Sequence, residues 1–301
     1  MNGRNGAVVK TSRMESTAAY LMIAPLFVLL ILFTFFPVFY SFYISLFHYD
    51  PFDHIVYFVG LSNYHIVITN GLFLYSLLNV GYYTLIVVTA QTFLAMLLAI
   101  LFNTKLPVSR PARAIVYLPA ISSPVALSII FIWVFSPQGL INSLLAFLHM
   151  PHGINFLYSV KYAFYAIMAL NIFSTAPYFM LIYLAALQSI PLPVLEAASI
   201  DGVRSFWHKF RYIYFPMLRF STILVVILGI IGSMQLFDQV YVMTQGGPGN
   251  ATLVPLMYVY DYAFLSTGTL GLAAAASFIL FAIILVITVL QRNFFRELTW
   301  S

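Results

Sequence analysis

The sequence predicts an all-α membrane protein with six transmembrane helices and both termini cytoplasmic. Three observations carry that prediction. Of 301 residues, 62% are hydrophobic and only 7% charged, whereas soluble domains carry about a quarter charged residues. Long stretches without Asp, Glu, Lys or Arg run over 16–49, 54–104, 114–160, 162–195, 220–237 and 262–291, and about 20 apolar residues in a helix cross a bilayer core. The basic residues, finally, gather in short clusters between these stretches, as cytoplasmic loops require.

The elements follow in chain order. Residues 1–15 read as a cytoplasmic tail, and 16–71 as a first helix with its external loop. Spans fall near Ala18–Leu46, Leu72–Phe102, Ala114–Phe135, Tyr162–Gln188, Arg219–Phe237 and Gly271–Gln291, with 292–301 as a second cytoplasmic tail. Two of the charge-free stretches are too long for one helix. Their excess contains Gly60-Leu61-Ser62-Asn63 and Ser136-Pro137-Gln138-Gly139, residues that punctuate helices, and is assigned to external loops. The first stretch is too long for a signal-peptide core and lacks a small-x-small cleavage site, so it reads as a helix.

Charge sets the orientation. Arg4, Lys10 and Arg13, then Lys105, Arg110 and Arg113, then Arg204, Lys209, Arg211 and Arg219, then Arg292 and Arg296 all fall on one side. Lys161 alone falls on the other. The formal net charge of +5 is thereby explained as topology, with no nucleic-acid partner implied. Aromatic residues crowd the span ends, at Phe35, Phe36, Phe39, Tyr40, Phe42 and Tyr43 and again at Phe294, Phe295 and Trp300, where rings favour headgroup level. Pro25, Pro37, Pro119, Pro124 and Pro177 lie within spans. Each is either a tolerated kink or, for Pro119 and Pro124, a bend that wraps the third span around a pathway.

The loop between the fourth and fifth spans, residues 190–216, is the most informative segment. Pro191 and Pro193 set up a helix start, Leu195 to Ile200 favours helix, and Gly202 can end it. A second amphipathic piece is expected from Phe206 to Phe215. A helix this short is marginal in water, so its order must come from packing. Glu196-Ala197-Ala198, Asp201-Gly202 and Ile213-Tyr214-Phe215-Pro216 together resemble the cytoplasmic EAA loop of ABC importer permeases, with Phe215 where that family usually has Leu.

The resemblance extends over about 20–290 and is specific to the carbohydrate-uptake branch, the relatives of maltose and glycerol-phosphate permeases. Phe58-Val59-Gly60-Leu61-Ser62-Asn63-Tyr64 is similar to its external FVGLxNY segment. Phe237-Asp238 and Val242-Met243-Thr244-Gln245-Gly246-Gly247-Pro248 are similar to its FDxxxVMTxGGP. Leu118-Pro119, Pro124, Trp133 and Leu184 through Pro191 fit as well. The resemblance implies the type I ABC importer permease fold, with 72–291 as a five-helix transmembrane domain, in a bacterial or archaeal inner membrane. It also implies the partners: a second permease subunit of different sequence, two ATPase subunits and an extracytoplasmic solute-binding protein. By that implication Glu196, Ala197, Ala198, Asp201 and Gly202 form the helix that couples to the ATPase, and Gly246, Gly247 and Pro248 face the binding protein. ATP and Mg belong to the ATPase subunits. This chain has no G-x-x-x-x-G-K-[ST] loop, is not itself expected to be an enzyme, and is expected to hold no cofactor or metal.

Sugars are recognised by neutral hydrogen-bonding groups and aromatic faces. Asn79, Gln91, Trp133, Asn171, Tyr178 and Gln235 are the candidates within spans; each could equally serve interhelical bonding or packing. Asp238, at a span boundary, could line the mouth of the pathway or tie down the Gly246-Gly247-Pro248 turn. His149 and His152 form an H-x-x-H, but Pro151 and Gly153 disfavour the helix a metal site would need there. An ion-coupled carrier is the alternative function. Such carriers place ionisable groups inside their spans, and these spans hold essentially none.

Overall fold

The structure is a computed structural model that describes residues 13–50, 55–103, 109–200 and 205–300. Among these, four helices are long and apolar enough to cross a membrane: Tyr20–Ser45, Gly71–Phe102, Ala163–Gln188 and Leu270–Asn293. Two bent pairs, Pro111–Ile121 with Pro124–Val134 and Trp207–Met217 with Arg219–Met234, raise the number to six if each pair counts as one span.

The first crossing is α1 (Arg13–Leu30), a π turn at Ile31–Phe35 and α2 (Phe36–Ser45). In that turn Phe36 N–H reaches back to the Ile31 carbonyl. A second π turn, Phe210–Tyr214, lies between α10 (Phe206–Lys209) and α11 (Phe215–Met217), with Phe215 N–H bonded to the Phe210 carbonyl. Each turn ends two residues before a proline, Pro37 and Pro216. A proline ring removes a donor and crowds the preceding turn, and the wider π register takes up that strain.

The chain then departs from the all-α expectation. Phe47–Asp50 (β1) and Ile55–Phe58 (β2) pair antiparallel, with Phe47 opposite Phe58 and His48 opposite Tyr57. Both segments are rich in aromatic and β-branched residues, and stacking of His48 on Tyr57 at 4.7 Å reinforces the ladder. The segment expected as loop beyond it is also partly helical: α3 (Ser62–Thr69) leads straight to α4 (Gly71–Phe102). Asn70 separates the two by capping α4, its Oδ1 accepting from Leu72 N at 2.9 Å and Phe73 N at 3.3 Å.

The third span is broken. Helices α5 (Ser109–Ile121) and α6 (Pro124–Val134) meet at 97°. Pro124 takes the first turn of α6, and the residue before a proline is driven out of the helical region; Ser123 accordingly sits at φ −58°, ψ 131°. Helix α7 (Leu140–Phe147) and a non-helical stretch through the H-x-x-H segment lead to α8 (Ala163–Gln188). The fifth span is also shorter than expected. Helix α12 (Arg219–Met234) stops before Phe237 and meets the α10–α11 segment at 69°. Two short helices, α13 (Asp238–Met243) and α14 (Pro255–Tyr260), and a π turn at Asp261–Leu265 precede α15 (Leu270–Trp300). That last helix runs past Gln291, because no Gly or Pro in the sequence beyond it stops a helix.

Packing centres on α4 and α8. One core gathers Tyr83, Val87, Ile167 and Leu170 with Met234, Val240 and Val254. A second, toward the other end of the same helices, gathers Ala95, Ala99, Met180, Tyr183 and Leu187 with Ile190 and Leu218. The first crossing stays outside both, with none of its apolar window buried.

Candidate solute cavity and coupling helix

On α8, Ser174 and Thr175 lie three and four residues after Asn171, and Tyr178 lies four and three after them, so the four share a face. That face meets the break between α5 and α6. A cavity of about 220 Å³ forms there, lined by Ser122 and Pro124 at the break, by Ser174, Thr175 and Tyr178, and by Gln239 of α13. Among the described residues, no Lys, Arg, Asp or Glu contributes to its wall. The bend at Pro119 and Pro124 thus encloses a space with neutral hydroxyl and amide groups on its wall.

Behind this wall lies a fixed polar contact between helices. Thr175 Oγ1 donates to Gln91 Oε1 at 2.6 Å, and the Asn171 carbonyl lies 2.7 Å from the same hydroxyl. Gln91 is almost fully buried. It therefore serves to hold α4 against α8, and it positions Thr175 at the cavity without lining it.

The other residues singled out in the sequence scatter. Asn79 Nδ2 donates to the Leu253 carbonyl at 2.9 Å and to that of Asn250 at 3.3 Å, which fastens α4 to the turn before α14. Trp133 is 64% exposed on α6, and Gln235 is exposed at the end of α12. Asp238 is exposed at the first position of α13. The Gly246-Gly247-Pro248 turn is held by other groups: Thr252 Oγ1 donates to the Gly247 carbonyl at 2.8 Å and lies 2.7 Å from Thr244 Oγ1, while Thr252 N–H reaches the Gly246 carbonyl at 3.2 Å. Gln239, Ser122, Ser174 and Thr175 escaped the sequence reading. The hint for Ser174 was its place one turn after Asn171, and for Ser122 its place between two prolines. Among the described residues no cluster of three His, Asp or Glu could hold a metal ion.

The segment after α8 forms the expected short helix, α9 (Leu192–Ile200), which carries Glu196, Ala197 and Ala198. Ile190, buried against Leu187 and Leu218, anchors its start to the bundle. Beyond that anchor the helix shows its side chains to the surroundings: Val194, Glu196, Ala197 and Ile200 are all exposed, Ile200 at 86%. Asp201 and Gly202 lie outside the described residues.

Comparison with known proteins agrees with this architecture. Residues 91–300 match the family described as binding-protein-dependent transport system inner membrane component. The chain is 33% identical to the trehalose/maltose transport system permease protein MalF of Thermococcus litoralis, over 95% of this chain and 96% of that one. It is also 33% identical to the lactose transport system permease protein LacF of Rhizobium radiobacter, over 92% and 94%. Its fold is that of a chain in the crystal structure of a bacterial ABC transporter involved in the import of the acidic polysaccharide alginate, with a TM-score of 0.83, 19% identity and coverage of 95% and 97%. With the family matched over most of its length, this chain belongs to the inner-membrane components of binding-protein-dependent transport systems.

Proposed function

We propose that this chain is the permease subunit of an ATP-driven, binding-protein-dependent importer of a neutral sugar, and that it forms half of the translocation pathway. The observation that carries the substrate class is the cavity at the α5–α6 break: hydroxyls and amides bond sugar hydroxyls, and no cation stands there to hold a uronate or a phosphate. Its 220 Å³ falls short of the roughly 300 Å³ at which small-molecule sites usually begin. A second permease chain therefore completes it, and we take that chain to be a different sequence.

Each bent pair is read as one span, so that six spans place both termini in the cytoplasm of a bacterial or archaeal cell, with the basic clusters retained inside. Helix α9 then projects into the cytoplasm, where Val194, Glu196, Ala197 and Ile200 offer a small, mostly apolar face to the groove of an ATPase subunit. Two such subunits bind ATP and Mg. The turn at Gly246, Gly247 and Pro248 lies outside, toward the sugar-binding protein. The sugar relatives by sequence favour this reading, and nothing in them favours an ion-coupled carrier.

Co-purification tests it. The tagged chain is co-expressed with its genomic neighbours and extracted in detergent, as wild type and as Glu196→Ala combined with Gly202→Pro. Retention of an ATPase subunit by the wild type and its loss from the variant are expected. Absence of an ATPase from both preparations sinks the reading.

A further inference from the structure

A second cavity is larger than the polar one and differs from it in its walls. It is an open groove of about 840 Å³ between α4, α12 and α15. Its walls are apolar over most of their length, with Val88 and Phe93 on α4 and Ile283 and Ile287 on α15. On α12 the wall residues Thr222, Val226 and Ile230 recur every fourth position. Three residues before Thr222, on a neighbouring part of the same face, α12 opens with Arg219, which is exposed. The α15 stripe, extended one turn forward, reaches Gln291, whose Oε1 is buried without a hydrogen-bond partner. Phe215 closes the wall at this end. The groove is therefore apolar along its length and polar, with a cation, where α12 begins.

The segment that crosses this end has a matching composition. From Trp207 to Met217 the chain lies at 69° to α12, with Ile213 buried and Phe210 and Tyr214 packed on the core that holds Leu218. Trp207, Arg211 and Phe215 are exposed along it at intervals of four, and Arg219, also exposed, opens α12 just past the bend. Trp207 is 70% exposed and Tyr212 67%, and His208 stacks on Tyr212 at 6.1 Å. No acidic residue occurs from Ser205 to Phe237 to neutralise Lys209, Arg211 and Arg219. Rings and cations alternating across the end of a span suit the headgroup layer, and basic sites between helices at that depth select anionic headgroups.

We propose that the Phe215 end of this groove binds an anionic phospholipid. Arg211 and Arg219 hold the headgroup phosphate, and an acyl chain lies along Phe93, Phe215 and Val226. The bilayer supplies the ligand, and the site differs from the solute cavity in both walls and charge. Because the segment that holds the headgroup follows α9 by only a few residues, occupancy also steadies the coupling loop.

Native mass spectrometry of the purified complex, containing this chain and its co-expressed partner subunits, tests the proposal by titration with phosphatidylglycerol or phosphatidylcholine. Phosphatidylglycerol is expected to be retained in preference. Losing two surface cations should weaken that retention roughly thirtyfold in Arg211→Gln plus Arg219→Gln, and Arg211→Lys plus Arg219→Lys should restore it. Free glycerol phosphate at millimolar concentration should not displace the lipid. Equal retention of the two lipids, unchanged retention in the Gln variant, or displacement by glycerol phosphate overturns the proposal. So does a Thr89→Cys variant that cross-links quantitatively to a second protein chain, since the groove would then be a subunit interface.

Discussion

Gln91 and Gly229 are in such close contact that a Cβ built on Gly229 would lie 2.6 Å from Gln91 Nε2. The amide is thus pinned from two sides, since its Oε1 accepts from Thr175 at 2.6 Å. Three helices, α4, α8 and α12, meet at this one side chain. Gly229→Ala should push the amide away and strain or break the Thr175 contact, because the added methyl falls on the buried Gln91 Nε2. Interhelical bonds in membranes are worth about 0.6 kcal/mol and at most about 1.7, so a modest drop in the thermal unfolding midpoint in detergent is expected. Gln91→Ala should cancel the effect of Gly229→Ala in the double variant. Additive losses would show that the two residues are not coupled.

Gly271 presents a harder case. A Cβ there would lie 2.0 Å from the Phe47 carbonyl oxygen, 2.8 Å from Asn63 Nδ2 and 3.2 Å from the Ile44 carbonyl. Two of these three are backbone atoms and cannot rotate aside. Asn63 is tied in turn, with Nδ2 donating to the Ser45 and Phe47 carbonyls at 2.9 Å each. Gly271→Ala is therefore expected at the severe end of the roughly 1–3 kcal/mol that overpacking costs, well beyond Gly229→Ala. Unfolding midpoints of the two variants, measured side by side, decide it. A Gly271→Ala midpoint within a degree of wild type would mean that the first crossing does not pack on α15 as described.

These contacts show what could and could not be seen in the sequence. Hydrophobic run lengths place α4, α8 and the start of α15 within a few residues, since nothing in those stretches competes with a spanning helix. The same rule fails at the third span. There the apolar run is continuous, but Pro124 decides the backbone, and run length is blind to a bend of 97°. At the fifth span the run opens at 220, after the 69° bend, and overshoots only the end of α12 at Met234. The β1–β2 hairpin was hidden for a related reason: Phe47, Tyr49, Val56 and Phe58 read as the apolar edge of a helix as readily as a strand. At the cavity, Tyr178 was legible as a polar aromatic inside a span. Gln239 was not, because its role depends on α13 folding back onto α6 and α8, a contact that no local pattern encodes.

Asp261 supplies a prediction in pH. It lies in the π turn after α14, outside the spans, and its Oδ1 is buried without a hydrogen-bond partner. Burial raises its pKa above the ordinary 3.8, so the folded protein holds this proton more tightly than the unfolded chain does. The linkage follows directly: the charged carboxylate weakens the fold once pH rises through the unfolded value toward the raised folded one, and the penalty vanishes in acid. Asp261→Asn removes the charge at nearly constant size. It should unfold a few degrees above wild type at neutral pH, with the gap closing as pH falls toward 4. An Asn variant that is no more stable than wild type at neutral pH would contradict the burial argument.

The Gly246-Gly247-Pro248 turn should answer to Thr252. This residue is fully buried, and its hydroxyl bridges the Gly247 carbonyl and Thr244. Thr252→Val keeps the shape and leaves the Gly247 carbonyl and Thr244 hydroxyl short of a partner, a loss of about 1–3 kcal/mol. If the turn is also the docking point of the binding protein, capture of that protein by the reconstituted permease should weaken in parallel. Lowered stability with unchanged capture would leave the turn structural and move the docking point elsewhere.

The cavity and the contact behind it make opposite predictions, and that opposition is the test of the solute pathway. Tyr178→Phe and Gln239→Leu each remove one neutral hydrogen-bonding group from the wall. A bond of that kind contributes about 0.5–1.5 kcal/mol, so the sugar concentration that half-saturates uptake should rise by between twofold and about tenfold. Tyr178 is half exposed and Gln239 partly so, and the unfolding midpoint should hardly move. Gln91→Leu does the reverse: it removes a buried bond between α4 and α8 and should lower the midpoint while leaving the half-saturating concentration close to wild type. Uptake measured in proteoliposomes with the binding protein present, set beside thermal unfolding of the same samples, separates the two classes. If Tyr178→Phe and Gln239→Leu leave half-saturation unchanged while Gln91→Leu shifts it, the solute passes between α4 and α8 rather than through the space opened by the break at Pro124.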